Sequence, residues 1–124
     1  MPPIRVLLVE DNDVFRESMT FLLGTYADVD VVGSVALGAA AARACAELRV
    51  DVAVVDYRLP DIDGGEVARE VADTSPGTAL VFLSASLGDD ELDAARSAGA
   101  PLVGKDAGVD ALVEVVRTVG RSSE

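Results

Sequence analysis

Glu10 and Asp11 close the first short apolar run of the chain, Asp56 closes the third, and Ser84 and Lys105 follow the fourth and fifth. Taken singly, an acid in such a place is a helix cap or a turn residue, and Asp11, Asn12 or Asp13 must include the cap of a first helix. Taken together, the five types make a chemical set. Three carboxylates within a few ångströms repel one another and need a shared proton or a cation. A hard divalent ion with oxygen ligands is the simplest solution, and Mg²⁺ binds through one or two carboxylates while keeping sites for water and phosphate oxygen. The chemistry this set suits is phosphoryl transfer to a carboxylate, forming an acyl phosphate on Asp56. Such transfer asks for in-line positioning and for neutralisation of charge on the equatorial oxygens. The metal would serve one oxygen, Lys105 another, and the Ser84 hydroxyl would donate to a third.

The elements that must position these residues are legible as five apolar, β-branched runs at 4–9, 29–32, 52–55, 79–83 and 101–103, alternating with helical patterns. Alternation of this kind predicts a doubly wound α/β sheet. The third run is apolar at every position from Val52 to Val55, as a central strand covered on both faces requires. Phe15, Met19, Leu22 and Leu23 share one stripe of a first helix, and Leu37, Ala41, Ala44 and Leu48 one stripe of a second. Val67 and Val71 mark a third helix after the turn at Gly64 and Gly65, and Asp89, Asp90 and Glu91 crowd the first turn of a fourth, where the helix dipole favours carboxylates. The last helix carries Val109, Leu112, Val113 and Val116 on its core face. Ala111, Val115 and Val119 repeat on a second face of it, which suits either deep embedding or docking of a second copy or an output domain. In an open α/β sheet, ligands bind beyond the carboxyl ends of the strands, so all five chemical residues are expected on one rim.

Composition narrows the function further. At 124 residues the chain fits one domain with a self-sufficient core. The domain is expected over 1–120, with 121–124 a polar tail or the start of a truncated linker. Aromatics are only 4%, so the core must be built from Val, Leu and Ala. A net charge of −12 repels phosphate backbones and anionic lipid, which argues against direct nucleic-acid or membrane binding. There is no histidine, excluding histidine metal triads and histidine general bases within the chain. Cys45 is alone in an Ala-rich run, and reads as a small buried residue rather than a nucleophile. The first apolar run is too short to span a membrane and lacks a cationic signal-peptide start, so a reducing cytoplasm is the expected location. No Gly-x-Gly-x-x-Gly turn and no Gly-Lys-Ser/Thr phosphate loop follows any strand, which disfavours nucleotide binding.

The stretches Val9-Glu10-Asp11-Asn12, Asp56-Tyr57-Arg58-Leu59-Pro60-Asp61-Ile62-Asp63-Gly64, Leu83-Ser84-Ala85, and Gly99-Ala100 through Lys105-Asp106 resemble the receiver domains of two-component response regulators. The likeness covers essentially the whole chain, and Lys105-Asp106 in place of Lys-Pro is most similar to receivers of the NarL type, which usually precede a LuxR-like helix-turn-helix domain. The resemblance implies a flavodoxin-like parallel sheet in the order 2-1-3-4-5 with five covering helices. It implies that Asp56 is the phosphoacceptor and that Glu10, Asp11, Asp56 and the backbone carbonyl of Arg58 hold Mg²⁺. Ser84 then matches the hydroxyl that moves toward the phosphoryl group, and Lys105 the family's invariant lysine. Pro60 and Gly64 match the turn after the acceptor. The implied partners are a sensor histidine kinase and an output domain or second subunit, and the implied role is a signalling switch rather than a turnover enzyme.

Two positions depart from the family pattern. Leu102 stands where these receivers usually carry the aromatic of the switch, and Asp106 replaces a frequent proline, where a cis peptide would cost about 2.5–4 kcal/mol. Two other readings share some of these features. Enzymes of the haloacid-dehalogenase type also use an aspartate nucleophile and Mg²⁺, but place a second acid two residues on, where this chain has Arg58. A pseudo-receiver, a binding module keeping only the fold, would not need the full set of acids, hydroxyl and lysine.

Overall fold

The computed structural model describes residues 2–122. Five strands are formed by the five apolar runs: β1 (Ile4–Val9), β2 (Val29–Val35), β3 (Val52–Asp56), β4 (Ala79–Ser84) and β5 (Leu102–Gly104). Between and after them lie α1 (Asp13–Gly24), α2 (Ala41–Glu47), α3 (Gly64–Thr74), α4 (Asp89–Ala98) and α5 (Val109–Ser122), with short 3-10 turns at Gly38–Ala40 and Lys105–Ala107. All strand pairs are parallel and the order is β2-β1-β3-β4-β5, the doubly wound topology expected.

The period-2 alternation of side chains divides the core between two faces of the sheet. Val6, Leu8, Val52, Val54, Val81 and Leu83 meet α1 and α5 through Met19, Leu23, Leu112, Val113 and Val116. Leu7, Val9, Ala53, Val55 and Phe82 meet α2, α3 and α4 through Ala41, Cys45, Val67, Val71 and Ala95. Cys45 is buried in this second layer, as its Ala-rich setting predicts, and burial pushes its thiol up to about 11.

The structure corrects several local expectations. Strand β2 continues past Val32 to Val35, because its backbone goes on pairing with β1 through Gly33 and Ser34 after a register shift opposite Val6 and Leu7. Ser84 and Asp56 end their strands rather than follow them, and β5 starts at Leu102. Pro101 has no N–H for the ladder, though its carbonyl accepts from Phe82 N at 2.9 Å. Leu22 and Leu37 are 40% and 49% exposed rather than on the core stripes. The buried line of α1 runs through Met19 and Leu23, which turns Leu22 outward, and Leu37 precedes the 3-10 turn instead of lying in a helix. On α5, Val115 and Val119 pack partly against the first core layer, so that second face is narrower than its sequence spacing suggests. Residues 121 and 122 of the expected tail continue α5, and residues 123–124 lie outside the described residues.

Gly64 shows how tightly the loop after β3 is set. A Cβ there would lie 2.9 Å from both the Phe82 and Tyr57 rings and 3.2 Å from the Tyr57 Cα. The Gly64 amide donates to the Tyr57 carbonyl at 3.0 Å, and Asp63 caps α3 by accepting from Glu66 N at 2.9 Å. Gly64→Ala is therefore expected to destabilise the fold by about 1–3 kcal/mol through overpacking. Urea melts give the check: a midpoint equal to that of wild type would show that the loop yields freely.

Candidate functional site

In the strand order β2-β1-β3, the chain leaves β1 in one direction and β3 in the other, so a crevice opens between their carboxyl ends. Glu10 and Asp11 stand at one lip, and Asp56 at the other. One carboxylate oxygen from each of the three lies within 4.8 Å of the others. Glu10 and Asp56 are buried, whereas Asp11 is exposed and leaves the crevice open to water.

Lys105 closes the group from the 3-10 turn that follows β5. Its Nζ donates to Asp56 Oδ2 at 2.9 Å and to Glu10 Oε1 and Oε2 at 3.1 and 3.2 Å. The ammonium also sits 4.7 Å above the Phe15 ring, a cation–π contact that orients it from α1. Burial works against the lysine's charge, but the hydrogen bonds it donates to Asp56 and Glu10 hold its pKa above the ordinary value. For Glu10 the balance runs the other way. Burial, then hydrogen bonding and repulsion from Asp56, push its carboxyl up to about 7, and Lys105 offsets only part of this. One ammonium facing three acids leaves negative charge uncompensated. The donor set, three hard carboxylate oxygens beside open solvent, fits a hard divalent cation such as Mg²⁺.

Local structure explains why these side chains stay in place. Asn12 is the residue that caps α1, accepting from Phe15 N at 2.9 Å, and Arg16 reaches back to the Glu10 carbonyl at 2.8 Å. Asp56 Oδ1 accepts from the amide of Arg58 at 3.2 Å. Among the described residues no buried side-chain polar atom lacks a partner.

The remaining expected site residues are less tightly gathered. Ser84 is buried on the neighbouring strand, and its hydroxyl accepts from the amide of Ser86 at 3.2 Å. Leu102 is half-buried, pairs in register with Phe82 and packs into the second core layer. The Arg58 side chain turns from the crevice to Glu91 on α4, at 2.5 Å. No cis peptide occurs among the described residues. Sequence reasoning missed Phe15, assigned only to the core stripe, and the Arg58–Glu91 pair. A helical stripe carries the signal for Phe15 being inward, but nothing local in sequence links an arginine to an acid 33 residues away.

A parallel 2-1-3-4-5 sheet with an acidic crevice at its switch point and a lysine bridging two of the acids is the architecture of a receiver. The chain belongs to the response regulator receiver domain family, whose signature matches residues 6–117. It is the receiver domain of a two-component response regulator, a signalling switch domain. The chain is 35% identical to the DNA-binding transcriptional activator DevR/DosR of Mycobacterium tuberculosis over 118 residues, which is 94% of this chain and 54% of that protein. It is 33% identical to the response regulator protein VraR of Staphylococcus saprophyticus over 97 residues, covering 78% of this chain and 46% of VraR. The chain thus spans about half the length of these relatives. Among solved structures, the signal receiver domain of the response regulator NarL from Mycobacterium tuberculosis superposes with a TM-score of 0.85 at 31% identity, covering 99% of this chain and 98% of that one.

Proposed function

We propose that this domain, residues 1–120, accepts a phosphoryl group on Asp56 from a sensor histidine kinase and thereby switches a surface that controls an output domain. The observation that carries this reading is the Lys105 ammonium bridging Asp56 and Glu10 within 3.2 Å, beside the exposed Asp11. In the transfer, an Asp56 carboxylate oxygen attacks phosphorus, the P–N bond to the donor imidazole breaks, and the leaving imidazole keeps the electron pair and takes a proton. Mg²⁺, held by Glu10, Asp11, Asp56 and the backbone carbonyl of Arg58, would supply positive charge for the phosphoryl oxygens. Lys105 already touches the acceptor, and follows the developing charge without reorganisation. The Arg58 amide orients the other acceptor oxygen. Ser84 exchanges its bond from Ser86 N for one to a phosphoryl oxygen.

The output in this reading is a LuxR-type helix-turn-helix domain or another partner, consistent with the activator role named for DevR/DosR. A second copy of the chain is the other candidate, through the remaining exposed part of the Ala111, Val115 and Val119 face. The location is the cytoplasm. Among the described residues no helix is long and apolar enough to cross a membrane. Incubation with acetyl phosphate and Mg²⁺, read by intact mass, tests the central claim, and a chain that stays unlabelled sinks it.

The switch step has its own expected outcome. Ser84→Ala removes one donor to a charged oxygen and should slow labelling by about ten- to a hundredfold. Because Leu102 has no ring to swing, the signal is expected to run through Ser84 and α4. Amide spectra with a beryllofluoride phosphoryl mimic should then lose most shifts beyond the site in Ser84→Ala and keep most of them in Leu102→Ala. Loss of the distant shifts in Leu102→Ala would make Leu102 the coupling element instead.

A further inference from the structure

Helix α4 is thinly anchored. Its buried residues are Glu91 and Ala95, while Leu92 is 42% exposed, and it hangs from Ser84 by the irregular segment 85–88, most of it exposed. A carboxylate buried at an exposed helix is unusual, because burial costs an ion much unless it is paired and hydrogen-bonded. Glu91 meets both conditions. Gly88, the N-cap, has no side chain to cap α4, and a Cβ there would fall 2.8 Å from Glu91 Oε2. The Glu91 carboxylate folds back over its own first turn in that space, accepting from backbone amides there, and these bonds with the Arg58 bond hold its pKa below the ordinary value. Its other partner is the Arg58 guanidinium at 2.5 Å, whose own side chain is 69% exposed. Arg58 also lies along the Tyr57 ring, 5.9 Å from its centroid, and its amide is on Asp56. One residue thus touches the acceptor by its backbone and α4 by its side chain.

We propose that the Arg58–Glu91 ion pair is a latch that holds α4 against the acceptor loop, and that phosphoryl on Asp56 opens it by competing with Glu91 for the guanidinium. The second half rests on the reading of Asp56 as phosphoacceptor. A phosphoryl group brings up to two negative charges and three acceptor oxygens two residues from Arg58, and guanidinium binds phosphate oxygens in a bidentate fork. Glu91 keeps its helix N-terminus when Arg58 leaves, so α4 stays folded but loses its ion pair to the acceptor loop. The exposed Leu87 and Leu92 then change position with it.

Hydrogen exchange read by mass spectrometry on peptides covering 89–98 tests this, with intact mass separating phosphorylated from unmodified chains. Without phosphodonor, Arg58→Ala should exchange about fivefold faster than wild type in α4, with α1 unchanged, and Arg58→Lys should recover part of the protection. Phosphorylated wild type should match unmodified Arg58→Ala, and phosphoryl on Arg58→Ala should change α4 exchange by less than about twofold. Equal α4 protection in unmodified Arg58→Ala and wild type overturns the latch. Phosphorylated wild type with α4 as protected as before overturns the competition. A wild type that takes no label overturns the Asp56 reading and the competition with it, while the comparison without donor still decides the latch.

Discussion

Asp56→Asn should take up no phosphoryl group from acetyl phosphate and Mg²⁺, while wild type should take up one, released by hydroxylamine as an acyl phosphate is. The substitution keeps the shape of the side chain and its contact with the Arg58 amide, but an amide cannot form a mixed anhydride with phosphate. It also removes one of two buried acids that share Lys105. Repulsion on Glu10 falls, so the variant should be at least as stable as wild type in the absence of metal. Loss of labelling can then not be assigned to unfolding. The comparison is decisive because other carboxylates of the rim, Glu10 and Asp11, remain in reach of the donor. Equal labelling of wild type and Asp56→Asn, by intact mass, would move the acceptor to one of them.

Mg²⁺ should raise the thermal midpoint of wild type strongly, and a chelator should reverse the rise. The native state assembles three acids against one lysine, while the unfolded chain disperses them, so a cation that binds the rim binds the native state preferentially. At a hundredfold excess over the dissociation constant this linkage is worth about 2.7 kcal/mol. For a domain of this size that corresponds to roughly 8–12 °C. Asp11→Asn should lose most of the response, since it removes a carboxylate that is exposed and has no structural burden in the core. A wild-type midpoint indifferent to Mg²⁺, with or without chelator, would remove the metal from the site.

Much of this molecule is decided by its sequence alone. Val52 to Val55 reads as a central strand, because four consecutive apolar, mostly β-branched residues suit cover on both sides, and they are fully buried. Once alternating strands and helices force a parallel sheet, every strand ends on the same edge. Glu10, Asp11, Asp56 and Lys105 therefore stand on one rim, and the strand order, with β1 beside β3, brings them into contact. Side-chain partners were another matter. Hydrophobic period tells which way a helix faces but not what it faces. It did not reveal that Phe15 supports Lys105, that Leu22 and Leu37 stand in solvent, or that β2 shifts register beside β1. The Arg58 side chain is the sharpest case. Its backbone place beside Asp56 follows from chain order, but its pairing with Glu91 needs α4 to be seated against α3 and β5 at one particular height, with a glycine at its cap. Ala95 anchors that helix in the same core layer as Phe82, Val67 and Val71, a packing between distant parts of the chain that no local pattern encodes.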